Sequence, residues 1–305
     1  MDSPPPFRSR DFHDLASYVA HVQASRDELR VEEGLRQAHP DGSFKVRGYC
    51  WLEGAQVELE VDYLYSADTT PRQPNWRERL VCPRCRLNNR QRATMHLAGE
   101  LGLRKDARVY VTERVTPLYS ALSARYANLV GSEFLGDDAR PGSTNLRGVR
   151  HEDLTRLSFR EASFDAVLTF DVLEHVPDFR RAIAECFRVL APGGALLLSV
   201  PFLDHEQHTR IRAERDGNGA LVHRHPPQYH GDPVTGQGVL CFQEFGWDLL
   251  DLLREAGFEE ACAIGYRSVE YGYLGGWPLM FRARKPGIPL IKSMFWQALT
   301  RILRP

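Results

Sequence analysis

Residues 151–202 read HEDLTRLSF (151–159), SFDAVLTFDVLEHVPDF (163–179) and RVLAPGGALLLSVPF (188–202), joined by short spacers. The apolar runs at 166–170 and 195–200 have the length and character of buried strands, and 179–190 between them has helical length and spacing. A strand, a helix and a second strand in that order form a βαβ unit, whose two strands lie parallel in one sheet. Reading outward toward the N-terminus, the same rhythm recurs, with apolar strands at 108–112 and 127–132. The repetition predicts an α/β domain built on a doubly wound parallel sheet, starting near 102–107.

The three ordered blocks of 151–202 resemble the class I S-adenosylmethionine (SAM)-dependent methyltransferases. Three blocks in sequence are far harder to meet by chance than one glycine motif. The resemblance implies a Rossmann-like, seven-stranded methyltransferase sheet and methyl transfer from bound SAM. It implies that Asp153, four residues before Leu157-Ser-Phe159, accepts from the adenine amino group, and that the Leu154 amide reads the ring. Phe170, Asp171 and His175 then line the methionine side of the cofactor. Pro192-Gly193-Gly194 is implied to be a tight turn into the fifth strand, where glycine supplies backbone angles that other residues resist.

One block departs from the family pattern. The loop after the first strand, Val109-Tyr-Val-Thr-Glu-Arg-Val-Thr-Pro117, contains no glycine, so backbone cannot approach a cofactor there in the usual way. A subgroup of bacterial methyltransferases with a Cys-x-x-Cys element, an Arg-rich helix and a Pro-Glu-rich turn is similar to this chain, and places an acid at the position of Glu113. Glu133 closes the second strand and suits two ribose hydroxyls as a bidentate acceptor. A nicotinamide dehydrogenase also wants such a carboxylate, but the absent Gly-x-Gly-x-x-Gly and the Leu-Glu-His block oppose it. A methyltransferase fold without activity, kept as a partner-binding scaffold, stays open.

N-terminal to this domain, 1–40 reads as a lead-in carrying surface helices, and 41–102 as a small β element followed by a helix. Alternation in Val57-Glu-Leu-Glu-Val61 has the period of a half-buried strand. Cys82-Pro-Arg-Cys85 has zinc-knuckle spacing, and Cys50 precedes Glu53 by the same interval. With Cys50, Cys82 and Cys85 as metal ligands and Glu53 as an oxygen donor, the set could hold a structural zinc, but carboxylates are unusual in closed structural sites, which favours a metal-free relic of a knuckle. In the helix that follows, Arg90 and Arg92 are candidates to meet the SAM carboxylate or an acidic substrate.

The domain itself spans 103–285 and contains an insertion at 202–244, much longer than an ordinary strand-to-helix loop. It leaves the carboxyl end of a strand, where ligands bind in doubly wound sheets. Five of the chain's 11 histidines fall in it. His205 and His230 are the expected catalytic bases for an acceptor hydroxyl, with Glu206 to orient either imidazole. The tail, 286–305, reads as an amphipathic helix that packs on the chain's own core, on another subunit or on a membrane surface.

Composition bounds the rest. Among 305 residues, 39 Lys and Arg face 40 Asp and Glu, a net charge of -1, so no basic field gathers nucleic acid. Six scattered cysteines suit a reducing cytoplasm rather than a disulfide framework, and residues 1–10 carry no apolar signal core. The expected activity is SAM-dependent methylation of a small-molecule or glycan acceptor, at oxygen.

Overall fold

The computed structural model describes residues 3–40, 42–66, 72–231 and 236–287. The N-terminal part comprises β1 (Ser9–Phe12), α1 (Leu15–Ala24), α2 (Arg30–Ala38), the hairpin β2 (Phe44–Cys50) and β3 (Ala55–Val61), and α3 (Asn89–Glu100). The βα series follows as β4 (Arg108–Val111), α4 (Pro117–Arg125), β5 (Asn128–Gly131), β6 (Phe164–Phe170), α5 (Phe179–Val189) and β7 (Leu190–Ser199). The insertion forms short strands β8 (Arg210–Ile211), β9 (Ala213–Arg215), β10 (Leu221–His223), β11 (Tyr229–Gly231), β12 (Gly238–Leu240) and β13 (Gln243–Glu244). The chain then continues through α6 (Leu249–Glu255), β14 (Glu259–Tyr266) and β15 (Leu279–Arg284).

The central sheet has seven strands in the order β1-β14-β15-β7-β6-β4-β5. Strands β5, β4, β6 and β7 run parallel, and β15, β14 and β1 add antiparallel pairings. This is the Rossmann-like methyltransferase sheet that the blocks imply. Successive strand residues point to opposite faces, and each face is apolar. Val167, Leu196 and Leu198 pack with Ile183 of α5 and Leu250 of α6. Ala166, Leu168 and Leu197 pack with Met95 of α3 and Leu122 of α4. Burial on both faces is why β6 and β7 read as continuous apolar runs rather than as alternation.

Two expectations change in detail. The segment 1–40 does more than lead in: β1 is the sheet's edge strand, paired with β14 from Ser9↔Tyr266 to Phe12↔Ala263. Phe12 is buried in the core at 1% exposure and meets the Tyr18 ring edge-on. A four-residue strand leaves too short an alternation to stand out beside the following helices. Pro192-Gly193-Gly194 lies inside β7 rather than ahead of it. Leu190 pairs with Phe164 and Ala195 with Ala166, so the triplet is a bulge. Gly193, at φ +79°, donates its N–H to the Lys285 carbonyl, a backbone angle for which glycine is the low-cost residue.

The helix α3 begins at a reciprocal capping box between Asn88 and Gln91. Its companion hairpin, β2 and β3, pairs from Phe44↔Val61 to Cys50↔Ala55 and encloses a separate small core around Leu59, Leu80 and Leu274. Most of the expected amphipathic tail, 286–305, lies outside the described residues. None of the described helices is long and apolar enough to cross a membrane.

Candidate active site

A cavity of about 1540 Å³ opens at the carboxyl ends of β4, β5, β6 and β7. A typical small-ligand pocket is roughly 300–1,000 Å³, so this one has room for two molecules side by side. Tyr110, Glu133, Asp153, Leu154 and Phe170 are among the residues that line it, and so are Tyr18, Phe202, Leu221, Val239 and Trp277. The second group is aromatic and aliphatic, and comes from α1, the insertion and the loop before β15.

The glycine-free loop is held by hydrogen bonds from a neighbouring strand end. Glu133, just beyond β5, accepts from the Arg114 amide at 2.6 Å and the Val115 amide at 3.0 Å through Oε1. Thr116 caps α4, accepting from the Tyr119 amide at 3.1 Å, and its hydroxyl donates to the Glu113 carboxylate. Pro117 takes the first helical position. The glycine that permits close approach stands in β5: a Cβ on Gly131 would lie 2.6 Å from the Glu113 carbonyl and 2.3 Å from the Tyr119 ring. Glu113 borders the cavity, and burial pushes its carboxyl up to about 7 against the lowering effect of Thr116 and Arg90.

Asp153 lies one residue beyond Glu152, whose amide donates to the Glu133 carbonyl, so the two expected cofactor acids share one wall. Its Oδ1 accepts from the Thr155 amide at 2.9 Å and the Thr155 hydroxyl at 2.8 Å, and Oδ2 from Arg156 at 3.0 Å. These bonds outweigh desolvation and keep its carboxyl below the usual range. Leu154, 7% exposed, and Phe170, 6% exposed, add apolar surface beside it.

Asp171 ends β6 at φ +54°, a left-handed angle that costs a non-glycine residue of order 1–3 kcal/mol. The turn aims its carboxylate at Arg77, whose Nη2 stands 2.7 Å from both oxygens, and at Arg90, 3.3 Å away. Ser199 of β7 donates at 2.9 Å. Burial alone would raise the Asp171 carboxyl; the two guanidinium groups outweigh it and hold it well below the usual carboxylate range. Arg90 therefore faces the cavity as expected, whereas Arg92 does not. Arg92 is 1% exposed and donates to the carbonyls of Tyr271 at 2.7 Å and Gly272 at 3.1 Å, binding α3 to the loop ahead of β15. Arg77 went unnoticed in the sequence because no motif surrounds it.

The histidine expectations divide. His230, on β11, borders the cavity with its Nδ1 3.6 Å from Glu174 Oε1. His175, in the 3-10 turn Leu173–His175, places Nε2 3.6 Å from the same oxygen and its ring 5.1 Å from that of His230. His205 is instead 72% exposed, beside Asp204 at 3.1 Å, and does not border the cavity; Glu206 is 45% exposed and pairs with Arg210 at 3.5 Å. The turn after Phe202 leaves these two side chains in solvent, so of the two expected bases only His230 stands at the cavity. Glu174 was passed over in the sequence, although it stands inside the quoted Leu-Glu-His block. Its carboxylate is 0% exposed, neither oxygen accepts a hydrogen bond among the described residues, and burial pushes its pKa up.

The cysteine element gathers three sulfurs. Those of Cys50, Cys82 and Cys85 all lie within 4.8 Å of one another, Cys50 and Cys85 at 3.8 Å. Zinc–sulfur bonds of about 2.3 Å in a tetrahedron set sulfurs roughly 3.8 Å apart, so the spacing fits. Glu53 is exposed and does not join them, which corrects its expected role as an oxygen donor. The hydrogen bond shared with Cys85 outweighs burial and lowers the Cys50 thiol below its usual value.

Residues 118–198 match a family described as a methyltransferase domain. A probable S-adenosylmethionine-dependent methyltransferase of Mycolicibacterium smegmatis is 47% identical over 53 residues, 17% of this chain and 21% of that protein. The demethylmenaquinone methyltransferase of Deinococcus radiodurans is 33% identical over 172 residues, 50% of this chain and 66% of that one. The chain thus spans less than two thirds of the length of these curated relatives. Among solved structures, the SAM-bound amino pentose methyltransferase CalS10 of Micromonospora echinaspora superposes with a TM-score of 0.41 at 19% identity, over 63% of this chain and 89% of that one.

Proposed function

We propose that this chain, whose residues 118–198 are a methyltransferase domain, transfers the methyl group of SAM to an oxygen of a small acceptor that carries an apolar portion. The observation that carries the reading is a cavity of about 1540 Å³ lined both by the acids Glu133 and Asp153 and by the apolar side chains of Tyr18, Phe202, Leu221, Val239 and Trp277. Glu133 and Asp153 serve the ribose and adenine; the cluster of Asp171, Arg77 and Arg90 faces the methionine end. The apolar wall favours a lipid-like or aromatic acceptor over a bare sugar. Relatives named for demethylmenaquinone and for phthiotriol dimycocerosates point the same way.

In the transfer, the acceptor oxygen attacks the methyl carbon in line with its bond to sulfur. The carbon–oxygen bond forms as the carbon–sulfur bond breaks, and the sulfonium becomes a neutral thioether. The hydroxyl proton must also leave, and the Glu174, His175 and His230 cluster is the group placed to promote that. Positioning in the cavity supplies much of the remaining rate.

The three cysteine thiols are proposed to hold one structural zinc that ties β2 to the turn before α3. Such a metal would stabilise the folded state outright. Incubating the protein with methyl-labelled SAM and fractionated metabolite and lipid extracts tests the activity. A labelled product in a lipid or aromatic fraction supports the reading. Tight SAM binding with no labelled product in any fraction favours a scaffold without activity.

A further inference from the structure

The three groups proposed to activate the acceptor have a geometry that a bare general base does not explain. His175 Nδ1 lies 2.8 Å from the Leu240 carbonyl, to which only an N–H can donate. That bond places a proton on Nδ1 and turns Nε2 toward the Glu174 carboxylate. Nε2 lies 3.6 Å from Glu174 Oε1, with His230 Nδ1 at the same distance from the same oxygen. These separations are too long for hydrogen bonds. They approach the roughly 3.0–3.4 Å that ligand atoms keep around a cation bonded at about 2.1 Å.

Glu174 adds the second observation. Its carboxylate is fully buried, and neither oxygen accepts a hydrogen bond among the described residues. A buried carboxylate is costly unless it is paired, neutralised or coordinates a metal. Arg77 and Arg90, which line the same cavity, pair with Asp171.

We propose that Glu174, His175 and His230 form a binding site for a divalent cation of the zinc or cobalt class, set in the cavity wall where the acceptor lies. Two imidazoles and one carboxylate suit such borderline cations better than magnesium or calcium, which prefer all-oxygen shells. Three protein ligands leave open positions for exogenous oxygens. An acceptor with two neighbouring oxygens, such as a vicinal diol or an ortho-dihydroxy aromatic, fits those positions by chelation. The insertion builds this site: β11 carries His230, and its partner β12 supplies the Leu240 carbonyl that accepts from His175 Nδ1. The acceptor class rests on the methyltransferase reading; the cation site does not.

The test is calorimetric titration of cobalt(II) into chelator-treated full-length protein, with Cys82→Ser introduced to silence the thiol set. Cys82→Ser is expected to retain one equivalent, and Cys82→Ser/His230→Ala to bind at least about tenfold more weakly. His230 lies in the insertion, outside the core, and equal SAM affinity in both proteins verifies that the fold is kept. Failure of Cys82→Ser to take up cobalt, or equal affinity with and without His230, overturns the site. Loss of SAM binding in every protein would instead refute the methyltransferase reading, with the cobalt result still deciding the site.

Discussion

Arg77 holds Asp171 through a single guanidinium nitrogen placed 2.7 Å from both carboxylate oxygens. The contact joins the segment before α3 to the end of β6, and so fixes the N-terminal element over the cavity. Removing Arg77 leaves the partly buried Asp171 carboxylate with Arg90 and Ser199 alone. Arg77→Ala is expected to lower stability by about 1–3 kcal/mol, and Arg77→Lys to recover part of it, since an ammonium supplies charge without the fork. Thermal denaturation of the three proteins checks this; an unchanged melting temperature in Arg77→Ala contradicts it.

Glu113 gives a pH signature of opposite sign to Asp171. Its carboxyl rises from 4.5 to about 7 on burial. A raised folded value contributes stability that is fully present below pH about 4.5 and is lost as pH climbs through about 7, amounting to at most about 3 kcal/mol. Asp171, depressed in the fold, contributes stability that is lost only as pH falls through the acid range. The wild type is therefore expected to lose stability relative to Glu113→Gln between pH 5 and about 8. Parallel melting-temperature curves for the two proteins across that window would remove Glu113 as the cause.

The histidine placement makes a kinetic prediction. With an acceptor in hand, His230→Ala is expected to lower turnover by about 10²-fold or more, while His205→Ala stays within about threefold of the parent. SAM affinity should be unchanged in both, because neither residue stands beside the expected cofactor acids. Equal turnover in the two variants would remove the cluster from the chemistry.

The sequence carried the sheet because β6 and β7 are buried on both faces, and runs such as Ala195-Leu-Leu-Leu198 can be little else. It brought Glu133 and Asp153 to the cavity wall, the first because it follows a strand end and the second through the resemblance carried by 151–159. The acceptor side was less legible. A loop of 43 residues between 202 and 244 has no period, and which histidine turns inward depends on the pairing of β11 with β12, a contact that nothing in the local sequence announces. Glu174 was overlooked for a different reason: a carboxylate beside a histidine reads as a surface pair until burial is known. Gly131 hid likewise, since its glycine requirement comes from Glu113 and Tyr119, in the loop and helix that precede its strand.

The central claim is that the cavity at the carboxyl ends of the parallel strands holds SAM against Glu133 and Asp153. Isothermal titration of SAM into the wild type, Glu133→Ala and Asp153→Ala tests it most directly. The account predicts one site in the wild type and a loss of about 1–3 kcal/mol, roughly 5- to 150-fold, in each variant, the cost of leaving a polar partner unpaired. Absence of SAM binding in the wild type, or unchanged affinity in both variants, would contradict it.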